Sequence, residues 1–84
     1  WRHLIEIISQ RLSDFYTKIS NASYALTSQE IKTSILVRLY FSPSEIATLL
    51  NLKNQRITNV RSAINKKLFS INGAKGIDKN IREM

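Results

Sequence analysis

The sequence predicts an all-α fold, a small helical domain in which one amphipathic helix precedes four more. Three observations carry that prediction. Apolar residues recur at steps of three and four through most of the chain, the spacing that gathers them on one face of a helix. No segment sustains the alternation of a strand, and no hairpin dipeptide joins two such runs. With 84 residues, 43% of them hydrophobic, the chain makes one domain with a modest core, and the absence of cysteine leaves helix packing to hold it together.

The first helix is expected from Arg2 to about Ser20. Leu4, Ile5, Ile8, Leu12, Phe15, Tyr16 and Ile19 line one side, Trp1 and Ile7 broaden it, and Arg2, Glu6, Arg11 and Asp14 lie outside or at the edges. It serves either as a brace docked on the rest or as the end of a longer helix arriving from a neighbouring region. Opening on Trp1 rather than Met, the chain reads as a fragment of a longer protein. Residues 20–25, SNASYA, are a connection, which divides the chain into 1–25 and 26–84.

Thr27 opens the second helix as a capping box with Glu30, three residues on. Ile31, Ile35, Leu36 and Leu39, with Val37 beside them, supply its buried face, and Tyr40 and Phe41 close it, Phe41 as a packing residue at the corner. The third helix starts with Ser42 as cap, Pro43 in the first turn and Glu45 as an early acid. Ile46, Ala47, Leu49 and Leu50 follow at helical spacing, and Asn51 ends the helix because asparagine tolerates the left-handed backbone of a stop. In the fourth, Ile57, Val60, Ile64 and Leu68 make one apolar stripe that must be buried. Beyond it Gly73 and Gly76 break the helix, Asp78 starts a short last one, and Ile77, Ile81 and Met84 pack it back on the core.

The formal net charge of +7 is unevenly spread. Residues 1–52 carry five cations against four anions, whereas residues 53–84 carry eight cations against Asp78 and Glu83. A basic segment on and after the fourth helix attracts a polyanion, nucleic acid first and an acidic membrane surface second. Catalysis has little support. The single histidine, His3, has no serine or cysteine nucleophile arranged with it, the six acids are scattered, and the segment from Gly73 to Gly76 does not fit phosphate-loop spacing. No cofactor, metal or small-molecule substrate is expected, the longest apolar runs fall far short of the roughly 20 residues of a membrane span, and no signal peptide opens the chain.

Binding is the remaining chemistry, and it falls on the fourth helix. The stripe leaves Gln55, Arg56, Thr58, Asn59, Ser62, Asn65 and Lys66 outside. Asn and Gln pair with an adenine edge, Arg with guanine, and a threonine methyl meets that of thymine, so Gln55, Arg56, Thr58, Asn59 and Ser62 are candidates for base contacts. Lys53, Arg61, Lys66 and Lys67 are candidates for phosphates, with an ion pair to a neighbouring helix as the alternative for Arg61.

LTSQE at 26–30, FSPSEIATLLNL at 41–52 and RITNVRSAINKKL at 56–68 resemble the LuxR-type (GerE-type) helix-turn-helix domain of bacterial transcription regulators. The matching positions are Leu26, Thr27 and Glu30, then Ser42, Glu45, Ile46 and Ala47, then Ile64, Lys67 and Leu68. The chain is similar in particular to the branch at the carboxyl end of Bacteroidetes regulators with tetratricopeptide repeats. The resemblance implies a four-helix domain at 26–84 whose third helix, residues 54–68 here, enters the major groove of double-stranded DNA. It further implies base contacts at Thr58, Asn59 and Ser62, phosphate contact at Lys67, and dimerisation through the last helix around Ile77 and Ile81. The chain departs from the pattern at Lys53, where a capping serine is usual, at Arg56 and Val60, and at Tyr40, where a glycine is frequent. Because lysine accepts no capping hydrogen bond, the helix start is expected to shift to Asn54.

The function these readings converge on is sequence-specific DNA binding for transcriptional regulation, by an effector domain of a bacterial cytoplasmic regulator whose other parts include a sensor or repeat domain. The full-length protein has room for a membrane segment elsewhere. Two rivals stand beside it: a sigma-factor-like promoter module acting with RNA polymerase, and a protein-interaction module in which the first helix docks on a partner and the basic face is incidental.

Overall fold

A computed structural model describes the backbone of residues 2–21 and 23–84, and the side chains of Gln10, of residues 12–21 and of residues 23–84. Its described residues form five helices and no strand: α1 (Arg2–Ile19), α2 (Ser28–Arg38), α3 (Pro43–Leu49), α4 (Asn54–Phe69) and α5 (Ile77–Arg82). None of them is long and apolar enough to cross a membrane. The inner face expected of α1 at Leu4, Ile5, Ile7 and Ile8, together with Trp1, Arg2, His3, Glu6 and Arg11, lies outside the described side chains.

Helix starts follow local hydrogen-bonding chemistry. At α2 the Thr27 N–H donates to Glu30 Oε1 at 2.8 Å while the Glu30 N–H donates to Thr27 Oγ1 at 3.2 Å, so two otherwise orphaned donors are satisfied reciprocally. Ser42 and Glu45 form the same box at α3, at 2.9 and 3.2 Å, with Pro43 in the first turn. Lys53 caps α4 with its backbone alone and no side-chain bond, and the helix begins at Asn54.

The stops of α2, α3 and α4 use left-handed residues. Tyr40 (φ 71°) follows α2, and the Phe41 and Tyr40 N–H groups reach back to Leu36 and Val37 carbonyls at 3.1 and 3.0 Å. Asn51 (φ 55°) repeats the arrangement after α3, with Leu52 bonded to Ala47 at 2.8 Å. Tyr40, without a glycine's freedom at that angle, stays exposed and carries the Arg82 guanidinium 4.3 Å from its ring centre. Gly73 and Gly76 do not end α4. Ser70, at φ 58°, does so three residues earlier, and Gly76 instead precedes α5, which starts at Ile77 rather than Asp78.

One core joins all five helices. Phe15 and Ile19 of α1, Val37 of α2, Ile46 and Ala47 of α3, Ile57, Val60 and Ile64 of α4, and Ile77 and Ile81 of α5 are buried together. The expected stripe of α4 is therefore inside, with Leu68 packed at its edge. Several expected inner positions differ. Tyr16 and Leu49 are exposed, because α1 meets the core with Phe15 and Ile19 and α3 with Ile46 and Ala47. On α2 the deepest line is Glu30, Thr33, Ser34 and Val37, while Ile31, Ile35 and Leu36 are only half-buried. The polar members of that line stay inside because Thr33 and Ser34 donate to the Gln29 and Glu30 carbonyls of their own helix, both at 2.8 Å.

Candidate nucleic-acid interface

α3 and α4 are joined by Leu50–Lys53 alone, four residues, and α4 is held from behind by Ile57, Val60 and Ile64. A helix anchored in that way presents its opposite face as a rigid surface. On that face Lys53, Gln55, Arg56, Thr58, Asn59 and Lys66 are exposed, and Ser62 is half-buried. Lys53, Gln55, Arg56 and Asn59 border one shallow depression with Asn51 and Leu52, at the amino end of α4.

The side chains there are partly organised by their own hydrogen bonds. Gln55 Nε2 donates to Asn59 Oδ1 at 3.4 Å, one turn on. Thr58 Oγ1 donates to the Asn54 carbonyl at 3.2 Å, which occupies the hydroxyl and leaves its methyl for apolar contact. Arg56 Nη2 donates to Gln29 Oε1 at 3.1 Å and is thereby drawn toward α2. Lys66 Nζ donates to Asn72 Oδ1 at 3.4 Å, a long bond at the surface.

Four expected surface roles are corrected by packing. Arg61 is 8% exposed and its Nη1 lies 2.9 Å from Asp78 Oδ1, so of its two expected roles the guanidinium takes the ion pair to a neighbouring helix, α5, and not the phosphate contact. Asn65 is fully buried: its Nδ2 donates to the Gly73 and Lys75 carbonyls at 3.0 and 3.2 Å, and its Oδ1 faces Asn80 Nδ2 at 3.5 Å. It fastens the loop after α4. Ile77 and Ile81 are both 0% exposed in this core, so they are not a surface through which two copies meet. Both take the core positions expected from the sequence pattern, and that leaves none of their surface for a partner.

Lys67 is half engaged. Its Nζ donates to Glu30 Oε1 at 2.7 Å and to the Ala25 carbonyl at 3.1 Å, tying the far end of α4 to the start of α2. Burial pushes the Glu30 carboxyl up, but the hydrogen bond from Lys67, those from Thr27 and the nearby ammonium charge together outweigh it and hold the carboxyl below its usual range. Gln29 and Lys32, absent from the sequence-based candidates, also flank this surface. Their only sequence signal is a polar three-residue spacing on the outside of α2, and what brings Gln29 to α4 is tertiary packing.

Fold and surface together define a small all-α domain in which two helices joined by a tight turn present a polar, cationic face. Comparison with known protein families, curated proteins and solved structures found no match for the chain.

Proposed function

We propose that the chain is a DNA-binding domain of the LuxR type that reads duplex DNA with the exposed face of α4, as the effector part of a transcription regulator. The observation that carries this reading is the composition of that face. Gln55, Thr58 and Asn59 stand exposed on a helix whose other side is locked in the core, with Lys53, Arg56 and Lys66 around them. Amide and methyl-bearing side chains are the kinds that discriminate base edges, and cations supply affinity to phosphates. Selection from a random duplex library at near-physiological salt tests it. An enriched motif is expected, and its symmetry reports whether the domain acts as a dimer. Recovery of no preferred sequence would overturn sequence-specific reading.

A second reading, a protein-interaction module, draws on Leu49, which is 58% exposed beside Phe41 and Thr48 on the outer side of α3. Concentration-dependent light scattering separates the two, since an apolar docking face promotes self-association.

A further inference from the structure

The depression at the amino end of α4 has a neighbour. Ser28, Gln29 and Lys32 of α2 border a second one with Leu50, the residue that precedes the lining segment of the first. The Arg56–Gln29 hydrogen bond of 3.1 Å spans from one to the other. The two are thus parts of one concave strip that crosses from α2 over the α3–α4 turn to α4. Its cations are Lys32, Lys53 and Arg56, all exposed, and among the described residues no carboxylate lines it. The nearest acids in sequence are already engaged, Glu30 with Lys67 and Thr27, and Glu45 with Ser42.

We propose that this strip is a saddle for the sugar-phosphate backbone of duplex DNA, in which Lys32 and Gln29 of α2 extend the binding surface beyond α4 and Gln29 turns Arg56 from a base reader into a phosphate contact. The inference rests on the DNA-binding reading and adds a second helix to the contact. Charge decides the occupant. Three cations with no carboxylate among them attract a polyanion, and their distribution over α2, the α3–α4 turn and α4 suits a row of phosphates rather than a single anion.

The test is titration of the chain with a mixed-sequence duplex at several salt concentrations, following fluorescence anisotropy. Lys32→Gln is expected to weaken binding several-fold and to reduce the slope of log affinity against log salt by about 0.9, the value for one lost phosphate contact. Lys18→Gln removes the same charge from an exposed position beside Asp14 on α1 and is expected to leave the slope unchanged. Arg56→Ala is expected to lower affinity alike for selected and unselected duplexes. Parent-like slope for Lys32→Gln, or an equal loss for Lys18→Gln, overturns the saddle while leaving DNA binding by α4 intact. If the parent chain binds no duplex at any salt, the DNA reading falls and the saddle with it.

Discussion

Lys66 and Lys67 are neighbours in sequence, yet their surroundings give them different tasks. Among the described residues Lys66 meets only Asn72 at the surface, whereas Lys67 is the cation of the buried Glu30 carboxylate. Lys66→Ala is therefore expected to reduce the salt dependence of the proposed DNA binding with an unfolding temperature close to that of the parent. Lys67→Ala leaves Glu30 without its charge partner and is expected to cost about 1–3 kcal/mol of stability, measured by chemical denaturation. Glu30 itself makes that contribution depend on pH. Its carboxyl titrates below the ordinary value of 4.5, so the stabilisation is complete above that value and is lost as pH falls through the lower folded-state value. Melting temperatures of the parent should drop steeply in that acid window, and those of Glu30→Gln should start lower and change less there. For base reading, Thr58→Ala combined with Asn59→Ala is expected to flatten preference among duplex sequences while weak, salt-sensitive binding persists. An equal proportional loss on every sequence would remove these two residues from discrimination.

Individual elements show what local sequence chemistry specifies. Thr27 with Glu30, Ser42 with Pro43, and Asn51 at its positive φ sit where capping rules place them, because each needs only neighbours within a few residues. The absence of a side-chain cap at Lys53 was equally legible, and it suggests a tension within α4. Lys53→Ser supplies the missing acceptor and is expected to stabilise the helix by about 1 kcal/mol. The same change removes a cation from the proposed DNA surface, so thermal stability should rise as duplex affinity falls; a rise in both would count against Lys53 as a phosphate contact. Arg61 and Asn65 were the residues least legible from spacing. Both lie one step outside the stripe of Ile57, Val60 and Ile64, and α5 with its preceding loop widens the buried side of α4 until it includes them. Their partners, Asp78 and the carbonyls of Gly73 and Lys75, are supplied by tertiary packing, which a helical repeat does not encode. The role of Gln29 is hidden from the sequence for the same reason, since its partner Arg56 is 27 residues away.

At the scale of the whole molecule, the expected boundary at residue 25 is crossed by the core. Phe15 is 5% exposed and Ile19 fully buried, both in the same cluster as the residues of α2 to α5. Arg38 adds a cationic contact 5.9 Å from the Phe15 ring centre, while its Nη1 donates to the Arg82 carbonyl at 2.7 Å, so one side chain links α1, α2 and α5. Burying two such apolar side chains is worth roughly 3–6 kcal/mol, against a total stability of about 5–15 kcal/mol for an ordinary domain. Removing residues 1–25 is therefore expected to do more than detach a brace. The remaining 26–84 segment should melt over a broad range at markedly lower temperature, with near-ultraviolet circular dichroism showing loosened packing. Replacing Phe15 and Ile19 together by alanine in the full chain should reproduce much of that loss without shortening it. A truncated segment that melts as sharply as the parent, within a few degrees of it, would instead show that α2 to α5 close a core of their own. In that case α1 would be an accessory coupling helix. With the loosened outcome, the DNA binding proposed for α4 depends on α1, because the rigidity of the exposed face derives from the core that Phe15 and Ile19 help to complete.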